Sequence, residues 1–286
     1  RRAGQLSVEE NVLLLRAASV VLRSSAGSLS QQLRKVAQAV VLPEPLRAVR
    51  RAAPPTLAAS PPSRDLRYFN GIGGFSADGR EYVMQIGPGA RPPAPWCNVL
   101  SNEQFGSVVS ENGLGFTWSG NSQRQRLTPW SNDAVRDPSG ELVYLRDEQD
   151  GLVWSATPAP ASLGAEFNVR HGQGYSIFSH TQGELEHELT VFVSPTDPVK
   201  LLRLRLRNHS ARSRSLSIYG VVEWVLGPAR ESTRLQVCTS WDADRGLLLA
   251  NNPLSSTADA HAFLAVNVPV ASVTGDREEL FGVGGS

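Results

Sequence analysis

The sequence predicts a mainly β protein, a large antiparallel β-sandwich preceded by two short amphipathic helices. Three observations lead there. Apolar residues recur at helical spacing only before about residue 42, whereas from residue 65 onward short runs of apolar and β-branched residues alternate with polar ones at a period of two. Turn residues separate these runs at short intervals, with no helix-length pattern between successive strands. A chain of 286 residues can bury a full core as one all-β unit.

Ser7-Val-Glu-Glu10 has the spacing of a capping box and opens the first helix. Val12, Leu13, Leu15, Ala18, Ser19 and Leu22 supply its apolar face, and Ser24 to Gly27 break it. A second helical pattern runs from Ser28 to Val41, with Leu29, Leu33, Val36, Ala37 and Val40 on one side, until Pro43 and Pro45 stop it. Two such helices cannot bury themselves alone. Residues 1–49 therefore read as a helical segment belonging to a preceding domain, 50–64 as a Pro/Ala/Ser linker and 65–286 as the sandwich. The chain starts without Met and reads as a piece of something longer.

In the β region, Tyr68 to Phe75, the turn Ala77-Asp-Gly-Arg80 and the alternating run Glu81 to Ile86 form a hairpin signal. The glycines of Asn70-Gly-Ile-Gly-Gly are read as close backbone packing rather than a phosphate loop, because no helix follows. Phe105 to Glu111 and Leu114 to Trp118 form a second hairpin, with Asn112-Gly113 expected to supply a positive-φ turn. Further strands are expected at Leu142–Arg146, Gly151–Trp154, Phe167–Arg170, Leu185–Val193, Val199–Arg207, Ser215–Trp224, Gly246–Ala250 and Ala262–Val266, with the run Arg170 to Phe178 between the third and the fourth. Within Val199–Arg207, Leu202, Leu204 and Leu206 are expected to face a core and Arg203, Arg205 and Arg207 to face away from it.

Composition excludes several function classes. The formal charge is +1, lysine occurs only at Lys35 and Lys200, and the arginines are scattered, so no basic stripe marks a nucleic-acid site. Cys97 and Cys238 stand apart without CxxC or His pairing, which argues against structural zinc. No apolar run is long enough to cross a bilayer and no signal-peptide pattern opens the chain. The histidines at 171, 180, 187, 209 and 261 lack HxxxH or HExxH spacing, so no metal site is expected, and no Gly-x-Ser-x-Gly is present to support acyl transfer. Glu184, Glu186 and Glu188 share one strand face, but three acids in a row read as a solvated face rather than a glycosidase pair. No catalytic residue is assigned.

The stretch from 114 to 133 carries the chemistry. It passes from the strand-like Phe116-Thr-Trp118 into a polar loop with Asn121, Gln123, Arg124, Gln125 and Arg126, then closes on Trp130, Asn132 and Asp133. Indole faces suit the C–H face of a sugar, and amides and guanidinia suit its hydroxyls. The alternative is a turn-rich loop whose Asn and Asp cap their own backbone and whose tryptophans, Trp118 or Trp130, are buried with the indole N–H paired.

An ordered set of motifs adds a resemblance. Asn70-Gly-Ile-Gly-Gly-Phe75, Asp78-Gly-Arg-Glu-Tyr82, Pro95-Trp96, Thr117-Trp-Ser-Gly-Asn-Ser122, Leu127-Thr-Pro-Trp-Ser-Asn-Asp133, Tyr144-Leu-Arg-Asp147, Arg170-His-Gly-Gln-Gly-Tyr175 and Thr274-Gly-Asp-Arg277 follow one another along residues 65 to 281. Together they resemble the cellobiose-phosphorylase-like glycoside phosphorylase module, most closely the copy found in bacterial cyclic β-1,2-glucan synthases. The resemblance implies an N-terminal β-supersandwich, matched here, and a following helical (α/α)-barrel that carries the general acid and the phosphate site. It also implies inorganic phosphate as the family's co-substrate, with no other cofactor. Candidate carbohydrate-binding residues are then Trp118, Asn121, Arg126, Trp130, Asn132, Asp133, Arg170, His171, Gln173 and Tyr175. Implied partners are β-glucan, the catalytic barrel with the neighbouring domains of a parent chain, and a second copy in a homodimer, but no nucleic acid. The implied location is the cytoplasmic side, as the soluble part of an inner-membrane protein. The other function that fits is a stand-alone carbohydrate-binding or dimerisation module without catalysis.

Overall fold

A computed structural model of the chain describes residues 6–18, 21–38, 65–87, 92–257 and 259–281. Its contacts divide it into two units, Arg1–Thr56 and Leu57–Ser286.

The first unit contains α1 (Val8–Ala17) and α2 (Leu29–Gln38). The capping box forms as its spacing requires: the Ser7 hydroxyl accepts from the Glu10 amide at 3.1 Å, and the Glu10 carboxylate accepts from the Ser7 amide at 3.0 Å. The helix ends earlier than the apolar spacing predicts, because Ala18 is already extended, with ψ 121°. Ala18 therefore lies outside the helical face assigned to it. The expected continuation of α2 to Val41 and the linker at 50–64 lie outside the described residues.

The second unit is built from β1 (Gly73–Phe75), β2 (Glu81–Ile86), β3 (Asn98–Ser101), β4 (Phe105–Val109), β5 (Phe116–Ser119), β6 (Glu141–Asp147), β7 (Val153–Ser155), β8 (Phe167–Gly172), β9 (Tyr175–Gln182), β10 (Leu185–Val193), β11 (Lys200–Asn208), β12 (Leu216–Val222), β13 (Cys238–Asp242), β14 (Leu247–Asn251) and β15 (Ala262–Ala265). Two one-turn helices, α3 (Arg230–Thr233) and α4 (Arg277–Phe281), are the helical elements described there. All strand pairs described are antiparallel. They form one six-stranded sheet, β1-β2-β8-β9-β10-β11, and three three-stranded sheets, β3-β4-β5, β12-β6-β7 and β13-β14-β15.

Alternation determines the core. Along β10, Leu185, His187, Leu189, Val191 and Val193 are buried while Glu186, Glu188, Thr190 and Phe192 point the other way, so a slip of one residue would drive two glutamates inward. Met84, Val169, Phe178 and Leu189 of the large sheet pack with Leu100 and Val109 of the β3-β4-β5 sheet and with Leu145 and Trp154 of β6 and β7. Each such side chain contributes about 1.5–3 kcal/mol by leaving water.

Two local expectations need correction. The positive-φ residue of the β4–β5 hairpin is Gly115, at φ 58°, and not the Asn112-Gly113 pair. A side chain at Gly115 would place its Cβ 1.9 Å from the Val108 carbonyl oxygen, so close strand approach and not the hairpin tip demands the glycine. On β11, Leu204 and Leu206 pack against the core as expected, but Leu202 is 39% exposed and lines a cavity. The glycines after Asn70 do answer to close packing: a Cβ on Gly73 would sit 2.7 Å from the Val83 carbonyl, and one on Gly74 2.8 Å from that of Arg67.

Candidate carbohydrate-facing site

The ten candidate residues fall into two groups. Trp118, Asn121, Arg126, Trp130, Asn132 and Asp133 belong to β5 and the loop after it, and Arg170, His171, Gln173 and Tyr175 belong to the β8–β9 hairpin. None of the hydrogen bonds, ion pairs and ring contacts described for either group reaches the other. The structure does not gather them into one pocket.

In the first group the polar side chains mostly serve the loop itself. The Asn121 Oδ1 accepts from the Gln123 and Arg124 amides, both at 2.9 Å, and the Asp133 Oδ1 accepts from the Val135 and Arg136 amides, both at 3.0 Å. These are the self-capping turns that Asn and Asp favour, and the two amide bonds hold the Asp133 carboxyl below its usual pKa. Arg126 donates from Nε to the Ser122 carbonyl and from Nη1 to the Pro228 carbonyl, each at 3.0 Å, and its guanidinium lies 5.3 Å from the centre of the Trp130 ring. Its backbone bridges Trp118 on one side and Gly227 on the other. Arg126 thus ties the loop to the segment before α3.

The tryptophans depart from the buried reading. Trp118 is half-buried and lies over Gly106, where a Cβ would come within 2.2 Å of the indole. Trp130 is 47% exposed, beside Phe116. Among the described residues neither indole N–H has a hydrogen-bond partner. The fully buried tryptophan is Trp154, whose indole N–H donates to the His187 Nδ1 at 3.4 Å. Trp130, Asn132, Gln123, Arg124 and Gln173 remain as the exposed surface a sugar could touch.

The second group is a half-buried ion network. Arg170 lies 3.5 Å from Glu81 and 3.3 Å from Glu188, while the Tyr175 hydroxyl donates to Glu81 at 2.7 Å. That bond, followed by burial, raises the Tyr175 pKa. His171 faces the Trp96 carbonyl through Nε2 at 3.1 Å and the Ser176 hydroxyl through Nδ1 at 2.8 Å. A carbonyl only accepts, so Nε2 carries the proton and the neutral Nδ1 accepts from Ser176. Burial lowers the His171 pKa to about 4, which keeps the ring neutral near pH 7. Glu186 and Glu188 are likewise engaged: Glu186 with Arg207 and His209, Glu188 with Arg170 and Arg205. They form the charged outer face that their spacing implies.

The sequence reading missed a buried polar cluster at the floor of a cavity with a volume of about 580 Å³. Here the Lys200 ammonium meets a Glu141 oxygen at 2.9 Å, the Ser107 hydroxyl at 2.9 Å and the Leu114 carbonyl at 3.2 Å. The other Glu141 oxygen accepts from the Thr117 and Thr128 hydroxyls. One signal was available: in a chain that otherwise uses arginine, a lysine inside an alternating leucine strand is out of pattern. A compact ammonium with rotatable donors suits a site whose acceptors, Glu141, Ser107, Thr117 and the Leu114 carbonyl, surround one point. Among the described residues no group of His, Cys, Asp and Glu is placed to hold a metal, and Cys97 and Cys238 are free thiols. No helix among them is long and apolar enough to cross a membrane.

Comparison with known proteins agrees with this architecture. The family model described as glycosyl hydrolase 94, supersandwich domain, matches residues 80–286. The cyclic beta-(1,2)-glucan synthase NdvB of Rhizobium meliloti (strain 1021) is 45% identical over 223 residues, which is 77% of this chain and 8% of the relative. The N,N'-diacetylchitobiose phosphorylase of Vibrio proteolyticus is 29% identical over 221 residues, covering 74% of this chain and 27% of the relative. That of Vibrio furnissii is 32% identical over 157 residues, covering 53% and 19%. The chain therefore spans about a quarter or less of each of these relatives. The antiparallel sheets, the ordered motifs and the matched length converge, and the chain belongs to the glycosyl hydrolase 94 supersandwich family.

Proposed function

We propose that this chain is the sandwich portion of a larger glucan-processing enzyme of the cyclic β-1,2-glucan synthase type. It contributes carbohydrate-contacting loops and a support surface for an (α/α)-barrel that performs the chemistry. One observation carries the reading: a family match that runs through the sandwich sits beside relatives of which the chain spans 8% and 27%. An inverting phosphorylase places a general acid against the glycosidic oxygen and an anion site across the sugar ring. Here the acids best placed to be considered, Glu186 and Glu188, are held by arginines on the outer face of the sheet. Inorganic phosphate is then co-substrate of the barrel. In the same reading residues 1–49 end a preceding domain, 50–64 link it to the sandwich, and the parent chain resides in the inner membrane with this module on its cytoplasmic side.

The exposed face of Trp130 with Asn132, and the Gln173 turn, are the proposed sugar contacts. An isolated hydrogen bond to a sugar on such a wet surface is worth about 1 kcal/mol or less, so binding by this chain alone is weak. Incubating residues 1–286 with β-1,2-glucan and phosphate should release no glucose 1-phosphate, whereas the full-length polypeptide should. Turnover by the chain alone overturns the assignment. Tight glucan binding by the chain alone would favour the stand-alone binding module instead, and light scattering reads whether it forms a homodimer.

A further inference from the structure

The cavity above Lys200 is a groove between strand edges. Its walls include Leu202 of β11, Val221 of β12 and Phe263 of β15, together with Leu226 and Leu254. Among the described residues β11 pairs only with β10, β12 only with β6, and β15 only with β14. Each of these strands therefore keeps one edge whose alternate N–H and C=O groups have no strand partner. Leu254 is 55% and Phe263 47% exposed. An apolar surface of this kind beside unpaired edges normally marks a docking surface.

The chemistry of the groove narrows the occupant. Its polar floor is closed, because the Lys200 ammonium and both Glu141 oxygens are taken up by each other and by Ser107, Thr117, Thr128 and the Leu114 carbonyl. That floor offers a small polar ligand no unmet group, and polar side chains such as Arg124 and His261 are a minority of a mainly apolar lining. A second copy is disfavoured in registers centred near Arg205, where pairing β11 with itself across a two-fold axis would set Arg203, Arg205 and Arg207 of one strand against the same arginines of the other. An extended stretch with apolar side chains on one face meets both demands. Its backbone would satisfy the edge of β11 at Lys200–Leu204, and its side chains would cover Leu202 and Phe263.

We propose that the groove is the seat of an added β-strand, supplied by the part of the polypeptide outside residues 1–286. The inference rests on the reading of this chain as one portion of a longer enzyme, and the relatives' lengths leave ample sequence to provide the strand.

Hydrogen exchange on the full-length polypeptide and on residues 1–286 tests it. The alternate amides of Lys200–Leu204 that do not bond to β10 should exchange slowly in the full-length protein and rapidly in the shorter chain. Equal, fast exchange in both overturns the proposal. Leu202→Asp and Phe263→Asp should leave the melting temperature of residues 1–286 unchanged but lower that of the sandwich transition in the full-length protein by several degrees. If they unfold the short chain, these positions are already core and the groove has no vacancy to fill. If instead residues 1–286 dimerise and Leu202→Asp makes them monomeric, the occupant is a second copy and the proposal falls. Glucan turnover is a separate readout: slow exchange in an inactive full-length protein supports the strand while removing the enzymatic reading, and activity with fast exchange does the reverse.

Discussion

Strands β10 and β11 lie side by side, are each nine residues long and alternate apolar with polar residues equally well, yet they meet different fates. β10 buries five side chains; on β11 the Lys200 side chain is buried, but no residue is buried as a whole. The same contrast divides the whole second unit. Strands β2 to β10 each place buried residues on an inner face, whereas within strands β11 to β15 Ala250 alone is buried as a whole residue, and Val225, Thr233, Val237 and Asn252 are buried in the segments between those strands. Strand pairing satisfies the backbone in both regions, but burial needs a facing layer. Sheets β3-β4-β5 and β12-β6-β7 provide that layer for the first region, and a period-two pattern does not say whether such a layer exists.

The largest expected effects test this division directly. Phe178→Ala, at the centre of the covered region, should cost about 3–5 kcal/mol in urea unfolding, while Ile218→Ala on β12, which is exposed, should cost less than about 1 kcal/mol. Comparable losses would mean that both regions are equally enclosed. The boundary between them runs through the Lys200–Glu141 pair. Lys200→Met leaves a carboxylate buried without its cation and should cost about 3–5 kcal/mol, and adding Glu141→Leu should recover most of that. A double variant no better than the single would show that the pair does more than neutralise itself.

A third prediction concerns pH and belongs wholly to the covered region. His187 is 1% exposed and stands opposite His180 across β9 and β10, with 5.5 Å between the ring centres. Its Nε2 donates to the Ala156 carbonyl at 3.1 Å and its Nδ1 accepts from Trp154. Burial, reinforced by His180, lowers its pKa from 6.5 to about 4. In the unfolded chain the ring regains its ordinary value and binds a proton that the folded state refuses, so stability is full above pH 6.5 and is lost as pH falls from 6.5 to 4. The loss should reach about 3 kcal/mol for this residue, and His187→Gln should flatten the unfolding free energy across that window. An unchanged slope would remove His187 as the cause.

The smallest effect is expected at the candidate sugar edge. Asn121→Ala removes the side chain that accepts the Gln123 and Arg124 amides in an exposed turn, and thermal unfolding should register about 0.5 kcal/mol or less. A loss as large as that at Phe178 would place the loop in the core rather than at its rim.

The mainly β class, most strand positions between Glu81 and Val193, the Ser7 capping box and, through an ordered set of motifs, the family are legible in the residues alone. These are local properties, since a capping box spans four residues and alternation shows over five to nine. Two strands without a clear pattern, Asn98–Ser101 and Cys238–Asp242, went unread because their apolar residues are too few to alternate. Only the tertiary structure decided which side chains meet. It directs Arg126 to the backbone carbonyls of Ser122 and Pro228, Arg170 and Tyr175 into one ion network, and Trp154 rather than Trp118 or Trp130 onto a buried histidine. Glu141 and Lys200 are 59 residues apart, and Trp154 and His187 are 33 apart. Both contacts join strands of different sheets, so the way the sheets pack face to face brings these side chains together, and the pattern along a single strand does not reveal it.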